Sequence, residues 1–300
     1  MKTVFSDSLT GREFLLEKEL SKGKFGRVVL VISKSTHEPF ILKETEHLQK
    51  EVTTVLQTIH HRSLLTSTEQ IMLNGHLYLL RRYETGMSLK EVLKTRNLQK
   101  RFSLRFWIEV FIGLLEGLEI LHNHQLIHRD IKPANILVTG PNPPKTTPAA
   151  PPQIKLIDFE QSQFFNRSIQ NTRMPFALCY SPPEQLLNFN NLAGPWSDLF
   201  ALALSLYEAI TQKPAFWYHD PEMLLHLQLN QPLKKEKIPD ELYEILCKAT
   251  RRMAFRLPPR YLNHQEITYS IQQGIIERYQ SAGEMIADLN TFLRKYPDDY

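Results

Sequence analysis

Between Ile127 and Leu137 the chain reads Ile-His-Arg-Asp-Ile-Lys-Pro-Ala-Asn-Ile-Leu, which sets a carboxylate (Asp130), an ammonium (Lys132) and an amide (Asn135) within six residues. Three such groups around one point suit phosphoryl transfer. In that reaction the protein orients a hydroxyl, neutralises a moving phosphate and holds a metal ion. Two further groups stand at the ends of β-like runs: Asp158 after Ile154-Lys-Leu-Ile, and Lys43 after Phe40-Ile-Leu. Gly23 and Gly26 would let a backbone approach phosphate oxygens and donate N–H groups to them. Taken singly, a strand-end Lys is a solvated terminus and a Gly-x-x-Gly is a turn; their order ahead of the trio is what joins them to it.

The elements that must position these groups show in the periodicity. Glu13 to Ser33 reads as two strands around the turn that carries the glycines. Leu48, Val52, Val55, Leu56 and Ile59 recur at helical spacing, with Glu51 beside the apolar face. Phe102, Phe106, Val110, Leu114, Leu118 and Leu121 make the stripe of a core helix upstream of the trio. From Trp196 to Phe216 an N-cap-like Ser-Asp precedes an almost wholly apolar run, which fits a buried central helix.

Composition bounds the function. The 300 residues are 42% hydrophobic and 23% charged, which describes a soluble globular protein of one large domain or two lobes sharing a cleft. A net charge of +4 without a Lys/Arg tract argues against nucleic acid or an anionic membrane as principal partner. Cys179 and Cys247 read as free thiols. The first residues lack the apolar core of a signal peptide, and no window approaches the ~18 apolar residues of a membrane span. The expected setting is cytoplasmic.

Taken in order, these motifs resemble those of the eukaryotic-type (Hanks-type) serine/threonine protein kinases, in wording closest to the bacterial eukaryotic-like members, over about Glu13 to Tyr296. The resemblance implies an α+β, two-lobed protein kinase-like fold in one domain spanning 1–300, with a β-rich N-lobe over about 13–83 and a mainly helical C-lobe over 84–296. It also implies an ATP- and Mg²⁺-dependent enzyme, with Mn²⁺ as a substitute ion, acting on Ser/Thr hydroxyls of a protein substrate. Asp130 would accept the hydroxyl proton, and Lys132 would sit beside the transferring phosphate. Asn135 and Asp158 would hold the metal. Ser21, Gly23, Phe25 and Gly26 would form the phosphate-covering loop, with Ser21 where the first glycine is usual, and Val28 would pack on the adenine. Lys43 would bridge the α- and β-phosphates and pair with Glu51, although Glu51 follows by only eight residues and Glu44 and Glu46 lie nearer. Backbone groups near Tyr83 would meet the adenine edge. Arg81 falls at the gatekeeper position behind the base, either turned inward against Glu51 or, one register away, turned outward. Asp198 would brace the catalytic loop, and Arg278 would pair with Glu184.

The same resemblance makes the Pro-rich run over 139–153 an exposed insertion where the family has a short turn; a docking segment for an SH3-like module is the alternative. Arg129 would clamp a phosphate on Ser168 or Thr172, unless Glu160, which replaces the usual Gly after Asp158-Phe159, already orders that segment. Ser21, Arg81, Glu160 and Ala177 also motivate a rival reading as a pseudokinase scaffold, and a small-molecule phosphotransferase is a second rival. Lys43, Asp130, Lys132, Asn135 and Asp158 argue against the first. Cys179-Tyr-Ser-Pro-Pro-Glu184, with the apolar helix after it, argues against the second.

Overall fold

The computed structural model describes residues 3–7, 10–23, 26–45, 50–66, 68–73, 75–95, 102–139, 153–167 and 177–296. Strands β1 (Val4–Ser6), β2 (Glu13–Gly23), β3 (Gly26–Ser33), β4 (Pro39–Glu44), β5 (Thr68–Leu73) and β6 (His76–Arg82) form one antiparallel sheet in the order β1-β2-β3-β4-β6-β5. Alternation decides its faces. Val29 and Val31 of β3, Leu42 of β4 and Tyr78 and Leu80 of β6 point into a core shared with Phe5, Phe14 and Ile71. The intervening strand residues face the opposite side, where Val28, Ile41, Lys43, Leu79 and Arg81 look onto a cleft. The sheet begins at β1, ahead of the expected start at Glu13, and Phe5 belongs to its core.

Helix α1 (Lys50–Thr58) buries Val52, Thr53 and Leu56. Beyond β6 the chain passes through β7 (Gly86–Ser88), α2 (Leu89–Lys94), α3 (Leu104–Asn123), β8 (Leu126–Ile127), β9 (Ile136–Thr139), β10 (Gln153–Leu156) and β11 (Gln163–Phe164). It ends in α4 (Pro183–Leu186), α5 (Pro195–Thr211), α6 (Pro221–Asn230), α7 (Asp240–Ala249), α8 (His264–Ile276) and α9 (Ala282–Lys295). Ser103 caps α3 by accepting the Phe106 N–H at 3.1 Å, and the apolar stripe of α3 packs in one core with α5, α7 and α9. This is a two-lobed α+β fold with a sheet half and a helical half.

One expectation needs adjusting. Pro195 occupies the first turn of α5 and Gly194 caps it, donating its N–H to Ser197 Oγ at 3.2 Å; Ser197 and Asp198 therefore lie inside the first turn. That frees the Asp198 carboxylate to face the chain before it. Residues 251–276 contain α8, capped by Asn263, whose Ile271 and Ile275 form a small core with Phe189.

Candidate active site

Between the sheet and the helical half lies a cleft of about 550 Å³, within the range of small-molecule sites. Val28, Ile41 and Leu79 line it from the sheet and Leu137 from β9. Ser21, Arg81 and Tyr83 line it too. Gly26 is required twice over: its φ is +99°, and a Cβ there would stand 2.6 Å from the Glu44 carbonyl oxygen. Gly23 pairs with Gly26 at the end of β2, while Phe25 lies outside the described residues.

Lys43 sits on β4 opposite Val28 and Leu79. Its Nζ donates to Asp158 Oδ1 and Oδ2 at 2.7 and 2.9 Å and lies 2.5 Å from Glu160 Oε2. Burial works against the ammonium, but the charges of Asp158 and Glu160 outweigh it and hold the Lys43 pKa above its ordinary value. Burial likewise opposes the Asp158 carboxylate, and Lys43 overrides it, keeping Asp158 below the usual carboxylate range. The expected Lys43 to Glu51 pair does not form. Glu51 points to the surface, with its side chain 71% exposed and its carboxylate accepting from Arg167. The reason is helical phase. Val52 and Leu56, four residues apart, hold the inward face of α1, and Glu51 lies about 100° around from Val52. Glu44 is engaged by His76 at 3.3 Å, and Glu46 lies outside the described residues.

The catalytic-loop trio gathers beside this cluster. Asp198 accepts the backbone N–H groups of His128 and Arg129 at 2.8 and 2.9 Å and meets His122 Nε2 at 2.9 Å, fixing the loop to α5. The left-handed φ of 69° at Arg129 turns the chain immediately before Asp130. Lys132 Nζ donates to both Asp130 oxygens at 2.8 and 2.6 Å, and Asn135 Nδ2 donates to the Asp130 carbonyl and Oδ2, each at 2.8 Å. The Ile157 N–H donates to the Asn135 carbonyl at 2.9 Å, which seats Asp158 next to the loop. The left-handed residue in this second segment is Asp158 itself, at φ 68°. Glu160 lies in the 3-10 turn Phe159–Gln161, so the missing glycine imposes no left-handed strain on it.

With Asn135 Nδ2 spent on Asp130, its Oδ1 and the Asp158 carboxylate are two hard oxygen donors on adjoining segments. That set fits Mg²⁺, which takes one or two protein oxygens and fills its octahedron with phosphates and water. The described residues include no group of three or more His, Cys, Asp or Glu that could hold a metal alone.

Arg81 faces inward, paired across the sheet with Ile41 and in phase with Leu79. Its partner is not Glu51. Burial lowers its pKa, and the charges of Asp158 and Glu84 oppose that shift from beyond hydrogen-bond range; its one hydrogen bond among the described residues goes to the Arg82 carbonyl at 3.4 Å. Tyr83 donates its N–H to the Pro39 carbonyl at 3.0 Å, so that donor is already engaged within the sheet half. Arg129 is buried, with Nη1 on Gln163 Oε1 and Nη2 on Asn190 Oδ1 at 2.5 Å; burial brings its pKa down to about 10. Ser168 and Thr172 lie outside the described residues. Arg278 Nη1 donates to Glu184 Oε1 at 2.8 Å, with both side chains buried. Glu160 as a partner of Lys43, Thr45 donating to Glu160, and the amides around Arg129 were not anticipated. For the second a signal existed, because Lys43 and Thr45 are two apart across the end of β4 and share a face.

The family model for the protein kinase domain matches residues 14–267. The chain is 29% identical to the striated muscle preferentially expressed protein kinase of Danio rerio, over 74% of this chain and 7% of that protein. It is also 29% identical to cell division control protein 2 homolog 3 of Trypanosoma brucei brucei, over 66% of this chain and 62% of the relative. A third similarity, to serine/threonine-protein kinase ATG1 of Mycosarcoma maydis, is 25% identical over 96% of this chain and 34% of the relative. The chain thus spans less than two thirds of the length of these relatives.

Proposed function

This chain belongs to the protein kinase domain family, and from that premise we propose that it transfers the γ-phosphate of ATP to Ser or Thr hydroxyls of protein substrates. The observation that carries the proposal is that the cleft-lining pair of Lys43 with Asp158 adjoins the loop on which Asp130 gathers Lys132 and Asn135, the two segments being joined by the Ile157 N–H on the Asn135 carbonyl. In the reaction the substrate hydroxyl oxygen forms a bond to the γ-phosphorus while the bond from that phosphorus to the β–γ bridging oxygen breaks, and ADP departs. Asp130 orients the hydroxyl and accepts its proton. Lys132, already on the Asp130 carboxylate, lies where it can offset charge on the transferring group. Lys43 donates to the α- and β-phosphates and fixes their direction. Val28, Ile41 and Leu79 supply the apolar wall for the base. Asn135 and Asp158 would hold Mg²⁺, or Mn²⁺ in its place, which when bound neutralises phosphate charge.

A serine/threonine preference is part of the proposal, supported by Lys132 two places after Asp130 and by the printed names of relatives such as serine/threonine-protein kinase ATG1. A cytoplasmic setting is proposed on the two free thiols. Among the described residues no helix is long and apolar enough to cross a membrane. Of the Pro-rich run 139–153, for which an SH3-like partner is the alternative reading, Thr139 and Gln153 pair as strand ends and residues 140–152 lie outside the described residues. The test is transfer of radiolabelled phosphate from ATP to a general protein substrate, with and without Mg²⁺, followed by phosphoamino-acid analysis. Label on Ser or Thr only with Mg²⁺ present is the expected result; ATP binding without any transfer would return the protein to the pseudokinase reading.

A further inference from the structure

We propose that Glu160 is the positioning residue for Lys43, taking the part expected of the helix α1 glutamate; this rests on the kinase reading above. The Glu160 carboxylate is enclosed from both sides by one strand end. Its Oε2 lies 2.5 Å from Lys43 Nζ, its Oε1 accepts from Thr45 Oγ1, and its side chain is only 9% exposed. Lys43 and Thr45 share a face because they are two residues apart in extended chain, so the strand end of β4 is a two-donor receptor for one carboxylate.

The helix offers no competitor. Leu56 lines the cleft, Val52 lies one turn before it on the same face, and both are wholly buried. The position from which a helix carboxylate would reach Lys43 is therefore held by Val52. Glu51, on the next face, is exposed and taken by Arg167, which also stacks on Phe164 at 3.8 Å. The charge has moved from the helix to the segment that carries Asp158, two residues away. This relocation has a functional consequence. Asp158 also holds Lys43 here, but it is the residue required by the metal; Glu160 is the partner that can keep the ammonium directed at the phosphates throughout. Helix α1 then contributes apolar packing to the site and no charge.

The test uses the full chain and measures two things: the Kd for ATP by calorimetry, and KM and kcat for ATP and for a protein substrate. Glu160→Gln keeps the size of the side chain and removes its charge. It is expected to raise Kd and KM for ATP and to lower kcat/KM for ATP by about ten- to a hundred-fold, the range for loss of a charge-assisted hydrogen bond, while KM for the protein substrate stays put. The double variant Val52→Glu with Glu160→Gly, which returns the carboxylate to the helix, is expected to recover at least about ten-fold of that loss. Glu160→Asp, which retains the charge on a shorter arm, should fall between wild type and Glu160→Gln even if the double variant does not fold. A merely structural role would depress the yield of folded protein and leave both KM values alone. The proposal is overturned if Glu160→Gln keeps wild-type Kd and kcat/KM for ATP, or if Glu51→Gln loses as much as Glu160→Gln. A wild type that binds ATP and transfers nothing overturns the kinase reading instead, and the Kd comparison still decides the role of Glu160.

Discussion

Asp130 has its full set of local partners before any substrate arrives: Lys132 on both oxygens and Asn135 on one. None of the three is among the residues lining the cleft whose apolar wall would hold the base. Asp130→Asn is therefore expected to reduce transfer to background while leaving the Kd for ATP within about three-fold, because the residue acts on the hydroxyl and not on bound nucleotide. Loss of ATP affinity in parallel with loss of transfer would remove Asp130 from that role. Arg81 and Arg82 provide a second comparison at adjacent positions. Arg82 is exposed and 3.6 Å from Glu38, a rim pair of little consequence, whereas Arg81 is turned into the cleft and desolvated, with no described carboxylate in hydrogen-bond contact. Arg81→Met should therefore raise stability in urea by about 1 kcal/mol and shift ATP affinity, while Arg82→Met stays within about 0.5 kcal/mol and leaves ATP affinity alone. The reverse ranking would mean that the charge of Arg81 is favourable where it sits.

Helix α5 and the catalytic loop meet through a single carboxylate. Asp198 is buried and accepts two backbone N–H groups besides its contact with His122. Burial opposes its charge, and the His122 bond with the loop donors prevails, so its folded-state pKa lies below the ordinary value. A depressed carboxylate pKa means that this contribution is fully present above the unfolded value near pH 4 and is lost as pH falls through the lower, folded value. Asp198→Asn should cost about 3–5 kcal/mol at pH 7 and flatten the acid limb of the stability curve; an unchanged limb would assign acid lability to other carboxylates. Much of this element-level order was legible in the sequence. Apolar spacing marked the strands around the glycines, the helix before the loop and the buried α5, because burial on one face leaves a period of two or of 3.6. What was not legible came from long-range contacts. Glu51 sits at the edge of its helix's apolar set, and tertiary packing alone decides whether such an edge residue faces the cleft. Two strand registers were open for Arg81, and pairing with Ile41 selects the inward one. Glu160 shows in the sequence only as a missing glycine, because its partner Thr45 lies 115 residues away, with Lys43 two residues before that, and such contacts leave no local periodicity. Arg129 was read as a phosphate clamp, whereas its described partners are the neutral oxygens of Gln163 and Asn190. Thr139 and Gln153, at the two ends of the Pro-rich run, are direct cross-strand partners. Replacing residues 140–152 by Asn-Gly should therefore preserve the β9 to β10 pairing and ATP binding; loss of folded protein on gel filtration would mean that the run packs on the domain.

Among the described residues there are two main cores, and they are divided unequally. The sheet keeps a core of its own, while α1, although it lies between β4 and β5 in sequence, packs Val52 and Leu56, with Ile59 just beyond its end, into the same cluster as Phe159 and the helices of the larger half. Lys43 reaches across this division from the sheet to Asp158 and Glu160. A nucleotide in the cleft would do the same, with its base against Val28 and Leu137 and its phosphates on Lys43. Binding across two cores should appear as global stabilisation. At ATP concentrations about 100 times Kd, with Mg²⁺ present, the wild type is expected to gain about 2.7 kcal/mol in urea unfolding. Lys43→Met removes the phosphate contact but not the apolar walls, so its affinity should fall about ten-fold and its gain at the same concentration to about 1.4 kcal/mol. Asp130→Asn, which does not bridge the cores, should retain the full gain. Equal gains for wild type and Lys43→Met would show that the nucleotide is held without this lysine, and the phosphate site would then have to be sought among other lysines of the cleft, beginning with Lys18.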